Sequence, residues 1–383
     1  MVNLQKISTD LLVIGGGAAG LCAAIEAQER IKRILILTKG PIFRCGSTFA
    51  NINGRWGITW ASNIRESIYL EKRINQLSCG TNEPELTQIL VRESSSAYEQ
   101  LCAWGVRFVS GEKGEKNRVC PCFCDVPLAS VIDSCGQFAE CIKAKLDYSR
   151  VSILSYVTVT DIITKSGKFH GIIAKYKDKE KFIINAKAAV LATGGNASCQ
   201  PMHITEPGLT GDGYRLLESV GIKLSNMEFI QWVWEDVSFS ASRFQAYRLT
   251  DPNFSFYSSD GEKIPLDNID PELFMQRRSH VPISNLQPDK VIDELLLSKC
   301  KTGKAIRVIN RHTGKVENHI LPHAQACNGG VVIGPNGETP LPGLFAAGEV
   351  TTGMHGGDRV GGMMITNCIV FGRRAGKACR EVI

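Results

Sequence analysis

Short apolar runs alternate with longer mixed segments along the first part of the chain. The run 11–14, Leu-Leu-Val-Ile, is apolar throughout and predicts a buried strand, and the segment 21–27 predicts a helix. The segment 33–39 predicts the second strand, and 189–191 predicts a later strand that ends in a glycine turn at 194–195. This order of strands and helices predicts an α/β fold.

Between the first strand and the first helix stands the sequence Gly-Gly-Gly-Ala-Ala-Gly at 15–20. Gly15 allows a tight turn, Gly17 lets the backbone approach a pyrophosphate, and Gly20 allows the helix to pack against the sheet. Ala18 and Ala19 begin the helix, whose free N–H groups face an anion. The pattern predicts a dinucleotide-binding unit; the alternative is an ordinary turn that tolerates glycine.

The second strand ends in Thr38 and Lys39, at the position where an acidic residue normally binds the ribose hydroxyls of a nucleotide. A lysine there is compatible with the 2′-phosphate of NADP. The first motif therefore does not identify the nucleotide by itself.

Composition limits the class of protein. The chain has 383 residues, 43% hydrophobic and 21% charged, which exceeds what one core usually supports, so we expect two domains. No stretch approaches the roughly 20 apolar residues of a membrane span, and the N-terminus leads into a strand rather than a signal peptide. We expect a cytoplasmic protein without a membrane span. The net charge of +6 comes without a basic run, which argues against nucleic acid as a partner.

The chain contains 14 cysteines, which we expect to be free thiols in a reducing cytosol. Cys120, Cys122 and Cys124 alternate, which predicts three thiols on one side of an extended segment. Their spacing matches none of the common zinc or iron–sulfur patterns, so no metal site is predicted. A redox or metal role and a plain thiol-rich loop are the two interpretations, and the second is favoured.

A second glycine-rich segment lies near the other end of the chain. The sequence 341–349 resembles the segment by which flavoproteins with two dinucleotide-binding domains return a final strand beneath the flavin. With further blocks in the same order, the chain is identified as a member of the fumarate reductase, succinate dehydrogenase and L-aspartate oxidase flavoprotein family. These blocks are Thr38-Lys39-Gly40, Gly46-Ser47-Thr48, Ala192-Thr193-Gly194-Gly195, Thr210-Gly211-Asp212-Gly213-Tyr214, Gly348-Glu349, His355-Gly356, Arg359, Gly361-Gly362 and the segment 371–376.

The resemblance implies that the chain binds FAD. Some members attach FAD covalently through a histidine after the second strand, but the loop 44–47 reads Arg-Cys-Gly-Ser, so non-covalent FAD is implied. The residues implied to bind FAD are Gly15, Gly17, Ala18, Ala19, Gly20, Thr38, Lys39, Gly46, Ser47, Thr48, Gly54, Val157, Ala192, Thr193, Gly194, Asp212, Gly348, Glu349, Gly362 and Ile365.

The resemblance also implies the architecture. We expect a Rossmann-like FAD-binding domain of the two-dinucleotide-domain flavoprotein type, with an inserted α+β capping domain. Its parts would be 1–225 for the first part of the FAD-binding domain, 226–322 for the capping domain and 323–383 for the C-terminal return. The long C-terminal helical region of the respiratory members has no counterpart in this sequence, which suggests a compact or subunit-level form.

In this family a hydride moves between flavin N5 and a carbon next to a carboxylate. By resemblance, Arg359 binds a carboxylate, His355 shapes the loop near the flavin, and Arg278 in the cap carries a proton, with Arg277 as the alternative. Each desolvated carboxylate requires a charge-assisted partner, preferably bidentate. The other interpretation of Arg359 is a structural salt bridge with one of two neighbouring acids, at positions 358 and 349.

The sequence departs from the family at both substrate histidines. Strict register places Gln325, rather than His323, at one of them. Trp232 and Trp234 occupy the segment in which the other is expected, and we expect these tryptophans to line the pocket. A pocket specific for succinate or fumarate is therefore in doubt, and a larger, flatter or less charged substrate is favoured.

Three functions remain open from the sequence. The leading one is an FAD-dependent dehydrogenase or reductase that acts on a small carboxylic acid. The second is a flavin electron-transfer subunit of a larger complex with an iron–sulfur partner, and the third is a non-catalytic flavin-binding scaffold. The retained Asp212, Glu349 and Arg359 argue against the third.

Overall fold

The computed structural model describes residues 5–49, 51–109, 118–238, 242–244, 246–249, 251–300 and 303–383. Its strands in chain order are β1 (Gln5–Ser8), β2 (Leu11–Ile14), β3 (Ile34–Thr38), β4 (Gly57–Thr59), β5 (Ala129–Val131), β6 (Val151–Ser155), β7 (Val157–Lys165), β8 (Lys168–Tyr176), β9 (Glu180–Asn185), β10 (Ala188–Leu191), β11 (Ile230–Asp236), β12 (Ser242–Arg243), β13 (Phe254–Tyr257), β14 (Ile306–Asn310), β15 (Val316–Cys327), β16 (Val331–Val332), β17 (Leu344–Ala346) and β18 (Thr351–Thr352). Its α-helices are α1 (Ala18–Ala27), α2 (Ile64–Ser78), α3 (Pro84–Arg92), α4 (Ser94–Ala103), α5 (Cys135–Lys145), α6 (Asp212–Ser219), α7 (Pro271–Arg278), α8 (Lys290–Lys299) and α9 (Met363–Val382). Short 3-10 helices lie at Ala197–Cys199, Ala246–Leu249, Leu266–Asn268 and Gly348–Val350.

The central sheet has the strand order β17-β10-β2-β3-β6, and all neighbouring pairs are parallel. Every residue of β2, β3 and β10 is buried, as is typical of a parallel sheet that is covered on both faces. Helix α1 connects β2 to β3. The predicted α/β fold and its first strand, helix and second strand are therefore confirmed.

The two ends of the chain meet at this sheet. Strand β17 pairs with β10, and α9 packs along α1. A methyl group added at Gly372 would lie 2.6 Å from the carbonyl oxygen of Ala19, and one at Gly376 would lie 2.3 Å from that of Ala23. Because glycine has no side chain, the backbones of α1 and α9 can come into direct contact at these two positions.

A smaller sheet has the strand order β1-β9-β8-β7. Its pairs are antiparallel except for β1 with β9. Strand β6, which directly precedes β7 in the chain, belongs to the central sheet instead. Val157, the first residue of β7, is buried and lines the cavity described below.

A third sheet, with the antiparallel order β12-β11-β15-β14-β13, has a hydrophobic cluster of its own. The cluster falls within the segment 226–322 that the sequence assigns to the inserted domain. Strand β15, however, continues without a break to Cys327. The buried members of this cluster, the second core, are Trp234, Phe244, Leu249, Phe254, Phe256, Ile264, Leu266, Ile283, Ile292, Leu296, Ile306, Val308 and Ile320.

Within the part of the chain that the structure describes, no helix has the length and apolar character needed to cross a membrane. The longest helix, α9, has basic and small residues along its length and packs against α1.

Candidate cofactor and substrate site

A cavity of about 870 Å³ lies where β2, β3, β10 and β17 end. Ligands of open α/β sheets bind at this carboxyl edge. Of the residues that the sequence predicts to bind FAD, all but Gly20 line the cavity. They are Gly15, Gly17, Ala18, Ala19, Thr38, Lys39, Gly46, Ser47, Thr48, Gly54, Val157, Ala192, Thr193, Gly194, Asp212, Gly348, Glu349, Gly362 and Ile365.

The glycine turn leaves no room for side chains at two of its positions. Gly15 has a φ of +119°, and a methyl group there would lie 2.0 Å from the carbonyl oxygen of Ala192. A methyl group at Gly20 would lie 2.0 Å from the carbonyl oxygen of Gly15. Gly20 therefore sets the approach of α1 to the turn without lining the cavity itself, which is the packing role that the sequence predicts for it.

The start of α1 faces the cavity without a capping side chain at Gly17. The N–H of Ala18 donates to the hydroxyl of Thr48 at 3.1 Å. Free N–H groups at a helix N-terminus attract an anion. Thr193 adds a buried hydroxyl that has no hydrogen-bond partner among the described residues. The turn, the helix start and this unpaired hydroxyl fit the pyrophosphate and polar chain of a dinucleotide such as FAD.

Lys39 does not offer a free positive charge to a nucleotide phosphate. Its ammonium group donates to Asp212 at 2.8 Å and to the hydroxyl of Thr210 at 2.7 Å. Burial raises the pKa of Asp212, but hydrogen bonds from Lys39 and Arg215 outweigh that effect and hold this pKa below its usual range. The ionised Asp212 therefore compensates Lys39, which weakens the NADP interpretation.

Glu349 places a buried carboxylate on the cavity wall. Its Oε1 accepts the N–H of Cys327 at 3.1 Å. Burial raises the pKa of Glu349, while that hydrogen bond and the charge of Arg359 act in the opposite direction. A methyl group at Gly195 would lie 2.3 Å from Oε1 of Glu349, so glycine at that position makes room for the carboxylate. A carboxylate held in this way can accept hydrogen bonds from the hydroxyls of a cofactor.

Arg359 is buried, lines the cavity and is held by neutral side chains. Its Nε donates to Oδ1 of Asn328 at 3.1 Å, and a terminal nitrogen donates to Oε1 of Gln231 at 2.5 Å. Asp358 turns away and accepts the backbone N–H groups of two residues in the segment 285–286, at 2.7 and 2.8 Å. No salt bridge joins Arg359 to an acid within the described ranges, so the structural alternative predicted for this arginine is wrong.

Burial lowers the pKa of Arg359, and the charge of Glu349 opposes this effect. An arginine remains protonated at neutral pH even so. The cavity wall therefore carries a desolvated cation whose direct partners are neutral amides. A buried cation of this kind favours an anionic ligand, because a carboxylate restores the interactions that water would otherwise supply.

His355 lies outside the cavity wall although it is close enough to Arg359 to sense its charge. It is buried, and neither ring nitrogen has a hydrogen-bond partner among the described residues. Burial and the charge of Arg359 lower the pKa of His355 well below its usual range. The imidazole is therefore neutral at physiological pH, and the structure does not bring it into the cavity.

The two arginines that the sequence predicts to lie in a cap are also away from the cavity. Arg278 is exposed at the end of α7, and Arg277 is fully buried in a salt bridge to Asp293 at 2.6 Å. Arg277 also donates to the carbonyl oxygen of His280 at 2.7 Å. Neither arginine lines the cavity, so the structure does not support the sequence-based placement of Arg278 beside a substrate. The last turn of α7 directs one arginine into the second core and the other into solvent.

A short loop after α7 does reach the cavity, and the sequence did not single it out. Val281 and Pro282 line the wall. The ring of His280 lies between two acceptors: Nδ1 is 2.6 Å from the carbonyl oxygen of Pro282, and Nε2 is 2.6 Å from Oδ2 of Asp289. His280 also stacks on Phe123, with ring centroids 3.9 Å apart, and so holds the loop against the cavity.

The cysteines at 120–124 do not share one side of an extended strand. The N–H of Cys124 donates to the carbonyl oxygen of Pro121 at 3.1 Å, and Phe123 has a φ of +64°, so the segment is a turn. Cys120 is exposed, Cys124 is buried, and Cys122 lines the cavity. No group of three metal-ligating side chains was found among the described residues, and the prediction of one thiol-bearing face is wrong.

The expected tryptophans are likewise absent from the cavity wall. Trp234 lies in the second core, where its Nε1 donates to Asp293 at 2.7 Å, and Trp232 packs against the same cluster. The alternate strand position, Gln231, lines the cavity instead, together with Gln325. The register argument for Gln325 rather than His323 thus agrees with the structure. Successive side chains of a strand point to opposite faces, so this alternation along β11 could have predicted that Gln231 and the two tryptophans lie on different faces.

Comparison with known proteins gives one family and several relatives. The family model described as "FAD binding domain" matches residues 10–237 and 287–365. An uncharacterised FAD-dependent oxidoreductase of Methanocaldococcus jannaschii is 28% identical, over 98% of this chain and 73% of that protein. One of the subunits of the fumarate reductase (CoM/CoB) of Methanothermobacter marburgensis is 27% identical, over 96% of this chain and 71% of that protein. The Sdh1 complex of Mycobacterium smegmatis contains a chain of similar fold, with a TM-score of 0.80 and 24% identity over 99% of this chain and 69% of that one.

Proposed function

Because the chain belongs to the FAD-binding family of fumarate reductase, succinate dehydrogenase and L-aspartate oxidase flavoproteins and is an FAD-dependent oxidoreductase, we propose that it transfers a hydride between flavin N5 and a carbon next to a carboxylate. The observation that carries this proposal is Arg359, a buried cavity-lining guanidinium whose direct partners are neutral amides. A substrate carboxylate would be the charged partner that this group lacks.

FAD is the cofactor of this family, and the cavity walls suit it. The Rossmann-like unit of β2, α1 and β3 would hold the pyrophosphate at Gly17 and at the start of α1. Asp212 and Glu349 would accept hydrogen bonds from hydroxyls of the cofactor. When bound, FAD supplies or accepts a hydride at N5, and the proton that balances the reaction is exchanged at the neighbouring substrate carbon. The absence of a histidine in the loop 44–47 supports non-covalent binding.

Residues outside the FAD-binding wall would position the substrate and exclude water from it. Residues 226–322 would act as the capping domain between the two parts of the FAD-binding domain, 1–225 and 323–383, as the separate cluster around Trp234 suggests. Val281 and Pro282 would cover the reacting carbons. We assign proton donation to neither Arg277 nor Arg278, because both lie away from the cavity wall.

The test is reoxidation of the chemically reduced holoprotein by α,β-unsaturated acids under anaerobic conditions, followed in the visible spectrum of the flavin. We expect at least one such acid to reoxidise the flavin in a saturable manner. Arg359→Ala should lower kcat/KM for that acid by at least about 30-fold, because truncating one partner of a buried charge pair costs about 2–5 kcal/mol. Arg359→Lys should recover part of the loss.

Retention of FAD separates this effect from misfolding. Arg359→Ala protein that keeps its flavin spectrum but turns over as fast as the wild type would contradict the assignment. A flavin that no acid reoxidises would argue against the activity as a whole.

A second role is compatible with the same site. The relatives include one of the subunits of a fumarate reductase and a chain within a larger complex. We therefore also propose that an iron–sulfur protein exchanges electrons with the flavin of this chain. Purification of the tagged chain from its own cells, with a stoichiometric iron–sulfur partner as the expected result, tests this proposal independently of the acid substrate.

A further inference from the structure

The turn at 121–124 brings Cys122 close to the loop that carries Arg359. The N–H of Gly361 donates to the carbonyl oxygen of Cys122 at 3.1 Å, and a methyl group at Gly361 would lie 3.5 Å from Cβ of Cys122. Gly361 is two residues from Arg359, so the Cα atoms of these two residues lie at most about 7.6 Å apart. Cys122 and Arg359 both line the cavity, and they therefore lie on neighbouring parts of its wall.

The same turn contacts the segment that would cover the substrate. Phe123, the residue after Cys122, stacks on His280 with ring centroids 3.9 Å apart. The two residues that follow His280, at 281–282, line the cavity. Cys122 therefore lies on the wall between the arginine that would bind the substrate carboxylate and the segment that would cover the reacting carbons.

Both the thiol and the guanidinium have capacity left for a ligand. Cys122 is half-buried, and its sulfur makes no hydrogen bond to another group in the described ranges. Arg359 uses Nε and Nη2 for its bonds to Asn328 and Gln231, so Nη1 has no hydrogen-bond partner among the described residues. A carboxylate bound by Nη1 would place its neighbouring carbons in the part of the cavity that Cys122 lines.

Burial lowers the pKa of Arg359, and three groups among the described residues that can carry a negative charge oppose this effect: Glu349, Cys368 and Cys122. Glu349 is predicted to bind FAD, and a methyl group at Gly348 would lie 3.3 Å from Sγ of Cys368. Both groups therefore belong to the wall that would hold the cofactor. Cys122 is the member of the three that can face the substrate, and thiols are among the side chains that transfer protons in enzymes.

We propose that Cys122 is the catalytic proton carrier of the reaction. In the reducing direction, a hydride from flavin N5 forms a C–H bond at one carbon of the substrate double bond and the π bond breaks. The proton of the Cys122 thiol forms the second C–H bond at the other carbon, and the thiolate then takes a proton from water. The hydride carries both electrons, so the acid is reduced and the flavin is oxidised. This inference rests on the proposed function and supplies the proton carrier that neither cap arginine provides.

The first test labels the thiols of the oxidised holoprotein with iodoacetate or with its uncharged counterpart, iodoacetamide. The reactive carbon of iodoacetate lies next to its carboxylate, within one carbon–carbon bond of the position that would take the proton. If Arg359 holds that carboxylate, the ratio of the iodoacetate rate to the iodoacetamide rate should be at least about tenfold higher at Cys122 than at Cys120. Cys120 is exposed and serves as the internal control, and tandem mass spectrometry assigns the label to each cysteine.

Replacement of the arginine checks the origin of that preference. In Arg359→Ala the ratio of the two rates at Cys122 should fall to the ratio at Cys120, because no guanidinium holds the carboxylate. Arg359→Lys keeps a positive charge without the planar fork and should keep part of the preference. The visible spectrum shows that each variant retains FAD.

The second test separates proton transfer from substrate binding. Cys122→Ala should lower kcat for the acid by about 100-fold or more and change KM by less than about threefold, because the general acid is lost while Arg359 still binds the carboxylate. Cys122→Ser keeps the size of the side chain but offers a weaker acid, so it should recover little of kcat, whereas a merely structural role would be restored. Cys120→Ala is the matched control and should turn over as the wild type does.

The outcomes separate this inference from the activity on which it rests. A labelling ratio at Cys122 no higher than at Cys120, or a Cys122→Ala or Cys122→Ser protein with kcat near the wild-type value, overturns the inference while hydride transfer to an acid stands. If no unsaturated acid reoxidises the wild-type flavin, the proposed function fails and the proton carrier fails with it. The labelling ratio would then still show whether a carboxylate on Arg359 reaches the Cys122 thiol.

Discussion

The contact between Gly195 and Glu349 gives a sharp prediction about the cofactor wall. A methyl group at Gly195 would lie 2.3 Å from Oε1 and 2.7 Å from Cδ of Glu349. Gly195 does not lie in the left-handed region of φ, so alanine brings no backbone strain and the steric conflict stands alone. Glu349 is buried, and Oε1 holds the N–H of Cys327, so the carboxylate cannot move without losing a hydrogen bond.

Gly195→Ala should lower the free energy of unfolding by about 1–3 kcal/mol, which is the usual cost of overpacking. Displacement of Glu349 should also weaken FAD binding. The assay is urea unfolding of the holoprotein at saturating FAD, with the FAD dissociation constant measured separately by flavin fluorescence.

A double-mutant cycle isolates the cause. In a Glu349→Ala background the new methyl group meets no carboxylate, so the cost of Gly195→Ala should fall by at least about 1 kcal/mol. Gly57→Ala is the matched control, because its methyl group would lie 3.6 Å from the nearest atom, the carbonyl oxygen of Ser130, an ordinary contact. A cost of Gly195→Ala that is negligible, or that stays the same without Glu349, would refute the reasoning.

Three further predictions concern other parts of the structure. Because the pKa of His355 is depressed in the folded state, the unfolded chain takes up its proton first, and stability is lost as the pH falls below about 6.5. Between pH 6.5 and 5, the free energy of unfolding measured in urea should therefore fall more steeply for the wild-type protein than for His355→Leu, by up to about 1.4 kcal/mol per pH unit. Parallel curves for the two proteins would contradict this. Gly20→Ala, whose methyl group would lie 2.0 Å from the backbone oxygen of Gly15, should cost about 3 kcal/mol or more and abolish the bound flavin spectrum; a protein that retains FAD would disprove the close packing. Asp293→Asn leaves the buried charge of Arg277 without its partner and should lower the free energy of unfolding by about 3–5 kcal/mol in urea, whereas a loss under 1 kcal/mol would show that the pair contributes little.

The sequence predicted the parts of the site whose geometry is local. The turn at 15–20 could be recognised because its glycines are required by close backbone contacts between residues a few positions apart, such as the contact of Gly20 with Gly15. The burial of β2 and β3 could also be predicted, because it follows from the apolar residues of each strand itself. The C-terminal block around Glu349 was found through its resemblance to a family, because the strand order that brings it to the cavity is not a local property.

The sequence failed where a side chain's direction depends on its surroundings. Arg277 and Arg278 are adjacent in α7, yet one is buried and the other exposed, so loose register could not decide which would meet a substrate. The thiols of the segment 120–124 were expected to alternate as in a strand, but the turn separates them. The carboxylate that draws Arg277 inward belongs to Asp293 of a different helix, α8, so the sequence of α7 alone does not show it.

By itself the sequence thus determined an α/β chain with a glycine turn, two ends that belong to one site, and an FAD-binding family. Only the tertiary structure decided that Arg359 has neutral partners and that a turn brings Cys122 to the cavity wall. The physical reason is that backbone patterns and glycine contacts are set by nearby residues. The charge balance of a cavity, in contrast, depends on which groups from distant strands and helices come to lie on its wall.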